Sequence, residues 1–106
     1  MRKLRVFSAE QFAGILSETE SGYSFEYDDE YINSPDNLPV SLTLPLSKKV
    51  YESSSMIPFF DGLIPEGWLL DIVAKNWKID PRDRMGLLSE CCRDCIGSIS
   101  LLPEEL

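Results

Sequence analysis

The hydrophobic period of this sequence changes between its two halves, and that change decides most of what the chain can fold into. In residues 3–7 (K-L-R-V-F) Leu4 and Val6 alternate with Lys3, Arg5 and Phe7, the two-residue repeat of a strand with one buried face. Residues 23–27 (Y-S-F-E-Y) repeat the pattern, with Tyr23, Phe25 and Tyr27 on one face. Residues 11–17 (Q-F-A-G-I-L-S) predict a strand between them, reached through the hairpin-sized link S-A-E. Residues 18–22 (E-T-E-S-G) predict a turn in which Gly22 supplies backbone freedom. The three strands form an antiparallel meander. Residues 28–40 read as irregular and polar, with Pro35 and Pro39. Residues 41–46 (S-L-T-L-P-L) alternate again and predict a short or edge strand ended by Pro45, before a serine-rich loop at Ser53, Ser54 and Ser55.

The second half takes a helical period. Pro58 opens a short P-F-F-D-G-L helix that Gly62 weakens. Pro65 opens a longer one over about 65–77. A third helix is signalled by Asp80 as N-cap, Pro81 at the first helical position and Asp83 as the capping-box acid. Its buried stripe is Met85, Leu88, Cys91 or Cys92, and Cys95. Gly97 breaks it, and I-S-L at 99–101 predicts a last strand returning to the sheet. The expected fold is α+β: a small antiparallel sheet with about three helices on one side, in a single domain over 1–106.

Charge and composition then exclude whole classes of function. Eighteen acidic residues against ten basic give a net charge of −8, the wrong sign for gripping phosphates, so direct nucleic-acid binding is not expected. The acidic run Glu26, Asp28, Asp29, Glu30 reads as a solvated strand end rather than a mimic of DNA. No apolar stretch approaches a signal peptide or a membrane span, so a soluble, cytoplasmic chain is expected, with no membrane partner. The sequence contains no histidine, which removes the commonest general base and most zinc sites. No glycine-rich phosphate loop is present, and F-D-G at 60–62 lacks every other kinase signature. No enzyme activity, catalytic residue, cofactor or metal is expected.

Cys91, Cys92 and Cys95 raise a thiol redox or metal reading. A structural zinc needs four ligands, and neither a fourth cysteine nor a histidine is available. Their place beside an apolar helical stripe favours core packing. On the 65–77 helix, Leu69, Ile72, Val73, Asn76 and Trp77 share the core face, and Trp68 falls a quarter-turn or more away, beside Asp71 and Lys75. Leu70 lies off the stripe on the other flank. Trp68 has two readings: it closes the edge of the core, or it is a binding anchor of the kind enriched in interface hot spots.

The sequence as a whole resembles the N-terminal subdomain of HipA-type toxin kinases. The resemblance rests on G-I-L-S at 14–17, Y-S-F-E-Y at 23–27, S-L-T-L-P-L at 41–46, F-F-D-G-L-I-P-E-G-W at 59–68 and L-L-S-E-C-C-R-D-C-I-G-S-I at 87–99. A free-standing copy looks like the HipS family, the small members of three-gene HipBST toxin–antitoxin modules. That resemblance implies a non-catalytic antitoxin-type subunit docked on a HipT-like serine/threonine kinase, in an assembly with a HipB-like helix-turn-helix protein that carries any DNA binding. It also implies a docking patch of Pro65, Glu66, Gly67, Trp68 and Leu70. Trp68 is its anchor at the kinase cleft, Glu66 and Gly67 set the approach, and Phe59 and Phe60 support it from the core. Two alternatives remain beside it: an N-terminal fragment of a complete HipA-like kinase, and a thiol protein using the three cysteines.

Overall fold

The computed structural model describes residues 2–64, 75, 76, 78–80, 82–91 and 99–103. Along the chain run β1 (Lys3–Ser8), β2 (Gln11–Thr19), β3 (Gly22–Tyr27), α1 (Asp29–Asn33), β4 (Val50–Ser53), α2 (Pro58–Asp61), α3 (Arg84–Cys91) and β5 (Ile99–Pro103). The strands form one five-stranded sheet in the order β4-β3-β2-β1-β5, and every pairing is antiparallel. The α+β fold, the opening meander and the returning last strand all appear as the sequence predicts.

Cross-strand register explains why one face of the sheet is dry. Leu4 faces Leu16 and Leu16 faces Phe25, while Val6 faces Leu101. All five are buried. Helices close over this face. Phe60 of α2 lies 5.2 Å from the Phe25 ring, and the Tyr31 ring of α1 stacks on Tyr27 at 5.9 Å. Met85, Leu87 and Leu88 of α3 belong to the same core, as the predicted stripe requires for Met85 and Leu88.

The two hairpins of the meander differ in how they turn. Ser8 faces Gln11 across a two-residue link, and both link residues, Ala9 (φ 51°) and Glu10 (φ 67°), are left-handed. That is the geometry of a hairpin turn that favours Asn and Gly. Gly22 (φ 153°) sits where any side chain would run into the Ser53 carbonyl of β4, so glycine is required there by close approach as well as by conformation.

Three expectations are corrected. First, residues 41–46 are not a strand. The Leu44 N–H donates to the Ser41 carbonyl and the Thr43 N–H to Ser41 Oγ, closing a turn at 3.0 and 3.2 Å. Leu42 then points outward while Leu44 is buried. The strand that completes this edge is β4, in a stretch read as leading into the serine-rich loop. Second, the irregular stretch 28–40 begins with α1. Its acidic first turn, Asp29 and Glu30, suits the positive end of a helix, and burial of Tyr31 holds it to the sheet.

Third, Asp83 rather than Asp80 caps α3. Asp80 Oδ1 instead accepts from the Arg82 N–H at 2.9 Å, a local side-chain turn that delays the helix. The Asp83 carbonyl accepts the first helical bond, from Leu87, and its Oδ1 accepts from the Gly86 N–H at 3.3 Å. The short helix expected over P-F-F-D-G-L is present over Pro58–Asp61, with Gly62 as its C-cap.

The segment between α1 and β4 lacks regular structure, yet three tyrosines hold it. The Tyr31 hydroxyl donates to the Leu38 carbonyl at 2.6 Å, Tyr27 to Leu44 at 2.5 Å and Tyr51 to Pro45 at 2.6 Å. The Tyr27 oxygen also accepts from the Val40 N–H at 3.1 Å. Backbone groups that a loop would otherwise leave to solvent are thus satisfied from the sheet, by Tyr27 and Tyr51, and from α1, by Tyr31.

Candidate partner-docking surface

The site residues predicted from sequence, Pro65, Glu66, Gly67, Trp68 and Leu70, lie outside the described residues, as do Cys92 and Cys95. For Cys91 the backbone alone is described, as the last residue of α3. What the structure does describe is the platform that leads into residue 65. Phe60 is fully buried, Phe59 packs against the core from its rim, and their rings meet at 5.1 Å. Ile64 is buried too. The two phenylalanines sit in and against the core as expected; the 65–77 helix they are expected to support lies largely outside the described residues.

The end of α2 is also tied to the start of α3. Arg84 Nε lies 3.2 Å from Asp61 Oδ1. Beside this pair is a shallow open cleft lined by Tyr23, Ser54, Ser55, Met56, Asp61 and Arg84. A second cleft continues from Tyr23 and Ser54 to Thr19, Ser21, Glu52 and Ser53. Hydroxyls and one ion pair line this surface, and no group among the described lining residues is a base placed against a nucleophile. Among the described residues no cluster of His, Cys, Asp or Glu is arranged to hold a metal. No helix described is long and apolar enough to cross a membrane.

Charges elsewhere are used to join elements. The Arg2 guanidinium donates to both carboxylate oxygens of Glu18, at 2.7 and 2.9 Å, and to both of Asp83, at 2.9 and 2.6 Å. These hydrogen bonds hold the Glu18 and Asp83 carboxyls below their usual range and raise Arg2. Lys49 lies 2.7 Å from Asp29 and 3.9 Å from Glu26, and its hydrogen bond to Asp29 raises its affinity for the proton. Part of the acidic run is therefore partnered within the fold.

Comparison with known proteins decides the family. The family model described as the HipA N-terminal domain matches residues 4–102. The chain belongs to the HipA N-terminal domain family. An uncharacterized protein of Haemophilus influenzae is 30% identical over 105 residues, a match covering 99% of this chain and 95% of that protein. The putative kinase Y4mE of Sinorhizobium fredii is 27% identical over 106 residues, covering 99% of this chain but 25% of the kinase. The chain thus spans about a quarter of that relative.

Among solved structures, one described as the N-terminal domain of HipA toxin superposes with a TM-score of 0.78 at 30% identity, covering 99% of this chain and 94% of that one. The HipA of a Shewanella oneidensis toxin–antitoxin complex with HipB and operator DNA superposes at 0.76. At 20% identity, over 97% of this chain and 24% of that one, that likeness speaks for the fold.

Sequence reasoning missed one surface. Leu38 and Leu42 stand in solvent on the tyrosine-held loop. The alternation of Leu42, Leu44 and Leu46 reads as a strand, and no local pattern marks the tyrosine hydroxyl bonds that hold the loop instead.

Proposed function

We propose that this chain is a non-catalytic antitoxin-type subunit that binds a HipT-like serine/threonine kinase and restrains it, with a HipB-like DNA-binding protein in the same assembly. The observation that carries this reading is the pair of coverages. The same domain makes up about a quarter of a putative kinase and nearly the whole of the H. influenzae protein. A domain found both joined to a kinase body and without one is suited to docking on such a body in trans. The hydroxyl-lined clefts and the ion-pair staples support a binding role, since they fix shape and offer no proton-transfer pair.

In this reading Pro65, Glu66, Gly67, Trp68 and Leu70 form the docking patch, carried on the buried Phe60 and Ile64. The experiment is co-expression and co-purification with a HipT-like kinase, followed by autophosphorylation with and without this chain. A tight complex with suppressed phosphorylation is expected. Absence of a complex overturns the reading. The quarter coverage of Y4mE favours a second reading, in which the domain is the N-terminal part of a longer HipA-like kinase. The mass of the native gene product separates the two.

A further inference from the structure

Two large hydrophobic side chains stand in solvent among the described residues, Leu38 at 77% and Leu42 at 94% exposure. Both belong to one loop. Single exposed leucines are ordinary, but an incidental pair would not be expected to share a segment whose backbone is pinned so closely. The Tyr31 hydroxyl holds the Leu38 carbonyl itself, and Tyr27 and Tyr51 hold Leu44 and Pro45. Burial alternates along the loop: Leu38 out, Val40 in, Leu42 out, Leu44 in. The Ser41 turn puts Leu42 at the tip.

The chemistry of the tip is also distinct. Between Asn37 and Ser47 there is no charged side chain, in a chain of net charge −8. A surface meant only to keep the protein in solution has no use for an uncharged apolar tip on a fixed backbone. Interface cores are depleted of charge, and a loop already ordered loses less freedom on binding.

We propose that the Leu38–Leu42 tip is a second docking element, seated in an uncharged apolar hollow on the body of the HipA-family kinase. The proposal rests on the kinase-binding reading above. The occupant follows from the relatives: in Y4mE this domain accounts for 25% of the chain, so a body about three times larger is what the domain accompanies there. The charges that flank the tip, Asp36 on one side and Lys48 and Lys49 on the other, meet that body around the rim, and the neutral tip meets it where water is excluded.

The test compares wild type, Leu42→Ser, Leu38→Ser and the double variant, as full chains, for affinity to the same purified HipT-like kinase. Both side chains are exposed, so melting temperatures are expected to stay within a degree or two of wild type. The double variant is expected to bind at least tenfold more weakly. Tyr31→Phe, which frees the loop without touching its surface, is expected to weaken binding by a smaller factor. A double variant that binds like wild type overturns the proposal and leaves the kinase-binding reading standing. Wild type that fails to bind overturns both. If the leucines instead govern a concentration-dependent self-association, with kinase affinity unchanged, the occupant is a second copy and the proposal is overturned.

Discussion

Arg2 and Asp83 are 81 positions apart in sequence, yet they meet through two hydrogen bonds of 2.6 and 2.9 Å. The same guanidinium holds Glu18. One side chain therefore joins the start of β1, the end of β2 and the N-cap of α3, and α3 carries Met85, Leu87 and Leu88 into the core. Asp83 serves twice, as ion-pair partner and as acceptor for the Gly86 N–H.

That double role separates two substitutions. Asp83→Asn keeps a good N-cap and loses the charge, whereas Asp83→Ala loses both. The Arg2 side chain is 52% exposed, so solvent screening limits the ion pair to about 1 kcal/mol or less, and the cap adds about 1 kcal/mol. Denaturant melts are expected to rank wild type above Asp83→Asn, and Asp83→Asn above Asp83→Ala. The folded-state pKa values of Glu18 and Asp83 are depressed. Their contribution is therefore full above about pH 4, the ordinary carboxylate range, and is lost as pH falls through the folded values. Arg2→Ala should flatten that acid limb of the stability profile.

A second prediction concerns Tyr27, whose buried hydroxyl serves Val40 and Leu44 at once. Tyr27→Phe leaves a buried N–H and a buried carbonyl short of a partner, at a cost of about 1–3 kcal/mol. Amide exchange at Val40 should accelerate with it. Burial pushes the Tyr27 phenol up to about 12. A raised folded value means the contribution is complete below about pH 10, the ordinary phenol value, and is lost as pH rises towards 12. Ultraviolet titration should show one tyrosine ionising late, and the late component should vanish in Tyr27→Phe.

The β1–β2 link gives a stabilising prediction. Ala9 and Glu10 both occupy left-handed backbone, which costs non-glycine residues about 1 kcal/mol each. Ala9→Asn with Glu10→Gly matches the turn and is expected to raise stability by about 1 kcal/mol or more. Thermal denaturation of the double variant checks it. A loss of stability would mean that Glu10 contributes elsewhere more than its backbone costs.

The parts of the fold legible in sequence are those where burial imposes a period. β1 and β3 alternate because one sheet face is packed under Phe60 and Tyr31 while the other is not. The same cue misleads at 41–46, where Leu42, Leu44 and Leu46 alternate but the Ser41 turn sends Leu42 outward. What holds that loop is three hydroxyls from residues 6, 7 and 17 positions away, and local pattern carries no trace of such bonds. α1, with five residues, and β4, with four, are too short for any period to declare itself. In sequence Asp80 reads as the cap because it precedes Pro81, and the true cap, Asp83, is legible only as an acid three residues on. The site is a different case: Trp68 stands out by its angle on the helical wheel, while the kinase as partner comes from resemblance and not from spacing.

The sharpest prediction is at Trp68. On the 65–77 helix read from sequence, Leu69, Ile72 and Val73 define the core stripe and Trp68 lies off it. Removing an indole from the core should cost about 3–5 kcal/mol of stability, enough to unfold a domain of this size. Removing an indole that anchors a partner should leave the melting curve almost unchanged and cost about 2 kcal/mol or more of binding, roughly a thirtyfold loss. Trp68→Ala therefore distinguishes the two roles in one preparation: melt the variant, then titrate it against the kinase and follow autophosphorylation. The expected outcome is a normal melt, weakened binding and released phosphorylation. A collapsed melt would return Trp68 to the core and leave Pro65, Glu66, Gly67 and Leu70 to be tested singly. A normal melt with full inhibition would move the anchor elsewhere, and the Leu38–Leu42 tip would be the next surface to bear the weight of docking.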